Sequence, residues 1–90
     1  MNNNYNLEKM KEILEKYIGL ENDKTLRYSL MDNIKEMEIE VLNCYLDDNH
    51  YILSENNEEV YFEKWVFEIH DAFIILYIMD NIIDSICVDR

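Results

Sequence analysis

The sequence predicts a single α+β domain over residues 1–90, with an N-terminal helix and an antiparallel sheet built from hairpins. Ninety residues, about half of them apolar, suffice for one domain with one hydrophobic core. Apolar residues near the N-terminus have helical spacing, and the end of the chain holds two apolar runs separated by a two-residue turn signal. With one glycine and no proline, the turns must come from Asn and Asp, which tolerate left-handed backbone angles.

The first predicted element is a helix that follows an Asn-rich lead, residues 1–5, which has little to bury and is expected to be flexible. Apolar residues then recur at three- and four-residue intervals, as on one helical face: Leu7, Met10, Leu14, Tyr17 and Ile18. Asn6 is a suitable N-cap, and Gly19 stands where a left-handed C-cap ends a helix.

Two periodicities compete in residues 24–46. The apolar residues fit helical spacing, but the later ones also alternate with three acidic residues: Glu36, Glu38 and Glu40. We favour strands over residues 25–31 and 34–46, because the alternating part is rich in β-branched side chains. The three glutamates would then project from one face of a strand at intervals of about 6.7 Å.

Asn and Asp supply the predicted turns. The tetrapeptide Met-Asp-Asn-Ile occurs at residues 31–34 and again at 79–82, and we interpret both copies as hairpin turns. A further turn is expected at residues 47–49, followed by a short strand over residues 50–54.

The rest of the chain is predicted to form a loop, a segment that is either a second helix or a strand, and a hairpin. Residues 55–58 are a loop or the start of a helix. Helix is the better periodic fit for residues 57–70, whereas the Val, Tyr, Phe, Trp and Ile of residues 60–69 also suit a strand. Residues 73–79 and 82–89 form the hairpin. Its first strand is apolar on both faces and should therefore lie in mid-sheet, covered by a helix on each side.

The negative charge is concentrated in one region. Residues 36–89 carry fourteen acidic side chains and a single basic one, Lys64, whereas residues 1–35 carry six of each. The formal net charge of −12 exceeds the magnitude of about 2 to 8 that solubility requires in a small domain. Direct binding to nucleic acid or to anionic membranes is disfavoured, because phosphate contacts need clustered Lys and Arg. A basic protein is the partner that such a surface fits.

Residues capable of catalysis or metal binding do not form a recognisable set. Cys44 and His50 lack a third group to orient the histidine, and residues 47–49 lack the glycine and distal glutamate of a calcium loop. His70 and Asp71 make half a metal site at most. We therefore predict no enzymatic activity, no cofactor and no metal. The widely spaced cysteines and the absence of a secretory signal predict a reduced, cytoplasmic protein.

In its size, its acidic residues 36–89 and its lack of a catalytic set, the chain resembles the small acidic proteins with which phages block host nucleic-acid machinery, anti-CRISPR proteins and DNA mimics. The resemblance implies an inhibitor that occupies the basic nucleic-acid groove of a nuclease or CRISPR effector. The alternatives are an immunity protein or antitoxin that neutralises a basic ribonuclease toxin, a small structural or regulatory subunit, and a small enzyme.

The predicted contact surface combines two acidic runs with tyrosines, which are favoured contact residues in interfaces. A hairpin is expected to bring the two runs onto neighbouring parts of the surface. The acidic residues are Glu36, Glu38, Glu40, Asp47, Asp48, Glu55, Glu58 and Glu59. The tyrosines are Tyr45, Tyr51 and Tyr61.

Overall fold

Helices precede strands along the chain, and the predicted α+β class is confirmed. The computed structural model describes residues 7–89, so that the predicted lead, residues 1–5, and the Asn6 cap lie outside the described residues. The elements in order are α1 (Leu7–Leu14), a 3-10 turn (Glu15–Tyr17), α2 (Lys24–Glu36), β1 (Val41–Leu53), β2 (Glu59–Ile69), β3 (Ala72–Met79) and β4 (Ile82–Asp89). Among these, neither helix is long and apolar enough to cross a membrane.

The sheet is an antiparallel meander in which each strand pairs with the next one in the chain, in the order β1-β2-β3-β4. β2 pairs with β1 over its whole length, but β3 reaches only as far as Phe62 on β2. The β1–β2 hairpin therefore extends beyond the other two strands. This extension makes the molecule elongated, with dimensions of 51 × 24 × 21 Å.

Both helices pack on one side of the sheet, which we call the helix face. The core joins apolar residues of the helices to alternate residues of the central strands. Its largest fully buried members are Met10, Leu14, Leu30, Ile34, Phe67, Ile74, Leu76, Ile78 and Ile83. The expectation that a helix covers each side of residues 73–79 is therefore wrong, since both helices lie on the same side.

The first helix is confirmed in position and in its buried face. Met10, Leu14 and Tyr17 are buried as their spacing predicts, whereas Ile18, beyond the 3-10 turn, is exposed. Gly19 has the left-handed angle expected of it, φ +89°, and its N–H donates to the carbonyl oxygen of Ile83 at 2.8 Å. This bond fixes the end of the first helical segment to the edge of β4.

Residues 24–36 form the helix α2 and not the predicted pair of strands. Asp23 is its N-cap, with an extended backbone and a carboxylate oxygen that accepts the N–H of Leu26 at 2.7 Å. The apolar residues at helical spacing are buried in the core: Leu26, Leu30 and Ile34. The helical period prevails because a helix buries all three of these residues against the sheet. The alternating pattern begins only at residue 36, so a strand would not have buried all three on one face.

β1 continues through residues 47–49, where a turn was predicted. The register shifts between Leu46 and Asp48, so that one extra residue is accommodated as a β-bulge and pairing resumes. The short strand predicted over residues 50–54 is the second half of this one long strand. The polar residues at 47–49 are therefore accommodated by a bulge of one residue, and the chain does not reverse direction there.

Residues 57–70, for which helix was favoured and strand left as the alternative, contain the strand β2. A helix would have gathered the apolar side chains onto a single stripe. In the sheet, the adjacent residues Val66 and Phe67 are both buried on opposite faces. β2 is flanked by β1 and β3, so its backbone is paired on both sides, which explains why composition prevailed over helical periodicity.

The C-terminal hairpin is confirmed with its turn at Asp80 and Asn81. Both residues have left-handed angles, φ 48° and φ 68°, as a two-residue type I′ turn requires. The Asp80 backbone N–H also donates to the carbonyl oxygen of Tyr61, and its carboxylate accepts the Tyr61 N–H, both at 2.8 Å. The turn is thereby tied to β2 beyond the end of β3.

Candidate acidic interface

The predicted acidic contact residues form three groups along β1, which is an edge strand of the sheet. The first group, Glu36, Glu38 and Glu40, precedes the strand, and the second, Asp47 and Asp48, lies at its bulge. In the third group, Glu55 and Glu58 lie in the turn to β2, and Glu59 is the first residue of β2. All eight side chains are exposed. Because β1 has 13 residues, the outer groups are about 40 Å apart and do not form the neighbouring patches that we predicted. We call these eight residues the acidic row.

The strand ladder predicted for the first group is wrong. Glu36 is the last residue of α2, Glu38 has a left-handed φ of 62° in the following turn, and Glu40 directly precedes β1. The three glutamates therefore do not share a strand and lack its regular spacing. The physical cause is that the last turn of α2 includes residues that the alternating pattern assigned to a strand.

A groove of about 470 Å³ lies between the end of α2 and the start of β1. Its lining includes the apolar residues Met31, Ile39 and Val41 and the acidic residues Glu38 and Glu40. Lys35 supplies a positive charge beside these acids. The first acidic group thus borders an opening that is partly apolar.

The middle of the acidic row is partly neutralised. The ammonium nitrogen of Lys64 lies 3.2 Å from a carboxylate oxygen of Asp47, and this hydrogen bond raises the pKa of Lys64. Asp48 lies 3.5 Å from the Nδ1 atom of His50, and both side chains are exposed. Both acids at the bulge therefore have a side-chain contact within the molecule, and both remain exposed.

The three predicted tyrosines lie on different faces. The rings of Tyr51 and Tyr61 are 5.1 Å apart at the extended end of the β1–β2 hairpin, and the Tyr61 hydroxyl accepts a hydrogen bond from the Asn49 side chain at 2.7 Å. Tyr51 is 66% exposed. Tyr45 pairs with Val66 on the opposite side of the sheet. Only Tyr51 and Tyr61 are thus placed near the third acidic group.

The side of the sheet opposite the helices carries an apolar and aromatic surface that the sequence pattern did not reveal. We call it the open face; its main residues are Tyr45, Phe62, Val66, Phe73, Ile75 and Tyr77. The ring of Phe62 lies 5.0 Å from that of His50 and 6.1 Å from that of Tyr77, so that aromatic rings cross three strands. The pattern that could have indicated this surface is that residues 73–79 are apolar on both faces; the prediction from it was a helix on each side.

Arg27 connects α2 to the sheet on the helix face. Its guanidinium carbon lies 4.5 Å from the centre of the Trp65 ring, and its Nη1 donates to the side-chain oxygen of buried Asn22 at 2.8 Å. Trp65 is packed against the core. Its ring is therefore a structural contact for Arg27 and not an exposed stacking platform.

The residues considered for catalysis are not brought together. Cys44 lies on the helix face and His50 on the open face, so the two do not meet across a turn. Within residues 7–89, no three His, Cys, Asp or Glu side chains form a group that could hold a metal ion. Cys87 lies on the open face, and both cysteines are free thiols.

Cys44 is expected to react slowly with iodoacetamide at pH 8. Burial raises the pKa of its thiol, an effect that the nearby charge of Arg27 opposes only in part, so the reactive thiolate is scarce. Residue-resolved mass spectrometry of alkylation measures this, with the urea-unfolded chain as control. Equal rates for Cys44 in the folded and unfolded chains would contradict the prediction.

Two surfaces therefore distinguish the molecule, the acidic row along β1 and the open face of the sheet. No protein-family model, curated protein or solved structure matches this chain. Its function is accordingly inferred from its own charges, faces and contacts.

Proposed function

We propose that this protein binds the basic nucleic-acid groove of a nuclease or CRISPR effector and inhibits it as a nucleic-acid mimic. The observation that carries the proposal is the acidic row, eight exposed carboxylates distributed along an edge strand. The row is about 40 Å long, close to the 34 to 36 Å of one turn of B-DNA. A groove whose Lys and Arg side chains contact the phosphates of DNA would meet, in the acidic row, negative charges over a similar length.

The charge of the whole molecule supports the same proposal. A net charge of −12 on 90 residues attracts a basic groove over distances of about 8 to 10 Å at moderate salt. Such attraction acts mainly on the rate of association, which therefore falls as the salt concentration rises. Nucleic acid bound by the same groove would be displaced competitively.

Charge reversal with a matched control tests the proposal. Changing Glu36, Glu38 and Glu40 together to Lys is expected to slow association about tenfold at low salt and to restore nucleic-acid binding by the partner. The control changes Glu8, Glu12 and Glu15 to Lys; these are also exposed, but they lie on the first helical segment, which packs beside β4. The control should have much less effect, because it alters the net charge equally without touching the acidic row.

The measurement is competition with labelled DNA or RNA for each of a panel of nucleases and guide-loaded CRISPR effectors, at two salt concentrations. If the two triple variants have equal effects, inhibition depends on the net charge of the protein and not on a contact made by the acidic row. Noncompetitive inhibition would exclude the mimic. Displacement of RNA from a basic ribonuclease toxin, with no effect on the other enzymes, would identify an immunity protein instead.

A further inference from the structure

We propose that the open face of the sheet is a docking surface for a partner α-helix with an apolar contact stripe and Lys or Arg along its flanks. The inference rests on the proposed function in one respect, namely that the partner is basic. It goes further by naming a second contact surface, which shares only Asp48 with the acidic row, and by stating what binds there.

The open face is apolar without being covered by the described part of the chain. The cluster that joins the helices to the sheet contains Ile74 and Leu76 but none of the open-face residues. On the same strand, Phe73 is 37% exposed, and Ile75 and Tyr77 are only partly buried. Val66 itself is buried, so the accessible apolar area comes from the residues around it. Partly exposed apolar side chains gathered on one face of a small domain are typical of an interaction site.

The geometry of the face favours a helix over an extended peptide. A chain lying flat on a sheet face finds no backbone partners there, because the hydrogen bonds of the sheet run within its plane. A helix satisfies its own backbone groups and needs only an apolar stripe. β3 has eight residues and is about 26 Å long, which matches a helix of about 17 residues.

The charges around the face favour basic flanks on that helix. Asp48 and Glu68 lie on the open face itself, and Asp71 and Asp80 lie in the turns at its two ends. Within residues 7–89, the one Lys or Arg on this face is Lys64, which is already bound by Asp47; His50 on the same face lies 3.5 Å from Asp48. An apolar centre bordered by carboxylates is complementary to an apolar stripe bordered by Lys or Arg.

A second copy of this chain fits the face less well. Two copies would bring together acidic borders on molecules that each carry a net charge of −12. The four strands offer an area of roughly 500 Å² on this face, below the roughly 800 Å² per partner of a standard stable interface. For a partner helix the smaller area is sufficient, since the acidic row adds a separate contact to the same partner.

Two synthetic peptides test the inference directly. Both have 18 residues and the same helical stripe of Leu. All remaining positions are Lys in one peptide and Glu in the other. The Lys peptide is expected to bind, as measured by fluorescence anisotropy, and the Glu peptide is expected not to. Phe73→Thr should weaken binding of the Lys peptide about tenfold. Leu53→Thr, which also replaces an exposed apolar strand residue by Thr but on the helix side, should leave it unchanged.

A second readout needs no substitution and so does not depend on how a variant folds. Cys87 pairs with Ile75 on the open face, whereas Cys44 lies on the helix face. Bound Lys peptide is expected to slow alkylation of Cys87 about tenfold, corresponding to protection by nine-tenths occupancy, and to leave the rate at Cys44 unchanged. Lack of protection at Cys87, equal binding of both peptides, or equal binding by Phe73→Thr overturns the inference.

The remaining outcomes separate this inference from the proposed function. A dimer of the wild-type protein in sedimentation that is lost in Phe73→Thr would assign the face to a second copy and overturn the inference. If the open-face tests fail while reversal of Glu36, Glu38 and Glu40 abolishes competition, the mimic stands without a docking helix. If the open-face tests succeed while competition with nucleic acid is absent, the docking surface stands and the groove-blocking function is wrong.

Discussion

Replacing Phe67 by Ala is expected to lower the free energy of unfolding by about 3 to 5 kcal/mol. Phe67 is completely buried on β2, within the cluster that joins both helices to the sheet. The loss combines the transfer free energy of the ring with the cavity left behind. A domain of this size has a total stability of about 5 to 13 kcal/mol, so the variant loses a large part of it. Urea titration followed by far-ultraviolet circular dichroism measures the change.

Phe73→Ala is the matched control, because it removes the same side chain from the other face of the sheet. Phe73 is 37% exposed, so less transfer free energy is lost and solvent fills the space. We expect a cost of about 1 kcal/mol. If the two variants lose equal stability, the open face is covered in solution and the one-sided arrangement of the helices is wrong. If Phe67→Ala is nearly neutral, the assignment of the core is wrong.

Tyr28→Pro is expected to destabilise the protein by about 3 kcal/mol or more. Tyr28 lies in the interior of α2 and is 53% exposed, so its own side chain contributes little to packing. Proline removes a backbone hydrogen bond of the helix, and its ring clashes with the preceding turn. Tyr28→Ala isolates the loss of the side chain, and thermal unfolding of both variants measures the difference.

Lys24→Pro is the positional control for the same helix. Lys24 is the first residue of α2, where the N–H has no partner within the helix, and Asp23 before it is already extended, as a residue preceding proline prefers. This variant should retain nearly all of the stability. If proline is tolerated equally at both positions, residues 24–36 are not a helix in solution. A large loss at Lys24 alone would contradict the position of the N-terminus of α2.

The first helix and the last hairpin could be predicted because short-range chemistry specifies them. Helical spacing buries Met10, Leu14 and Tyr17 whichever sheet they pack against. Asp80 and Asn81 follow one apolar run and precede another, which suits a turn with two left-handed residues. The placement of β2 could not be predicted in this way. Its apolar residues satisfy either period, and pairing with strands on both sides selects the sheet.

The candidate site divides in the same manner. The concentration of carboxylates in residues 36–89 is a property of the sequence, and the proposal of a basic partner rests on it. The arrangement of these carboxylates depends on where the elements begin and end. Because α2 ends at Glu36 and β1 passes through its bulge without turning, the two predicted acidic runs become a row along one edge.

The repeated tetrapeptide shows the limit most directly. Met-Asp-Asn-Ile forms a hairpin turn at residues 79–82 and lies inside α2 at residues 31–34. In the helix, Asn33 donates to the hydroxyl of Tyr17 and Ile34 is completely buried. The same four residues thus adopt different structures because their tertiary contacts differ. At residues 79–82 the pairing of β3 with β4 produces a turn, whereas at residues 31–34 the burial of an apolar stripe against the sheet favours a helix. Composition, charge and apolar periods are local and can be read directly, but the side of the sheet on which both helices pack, and hence the open face, follows from long-range contacts alone.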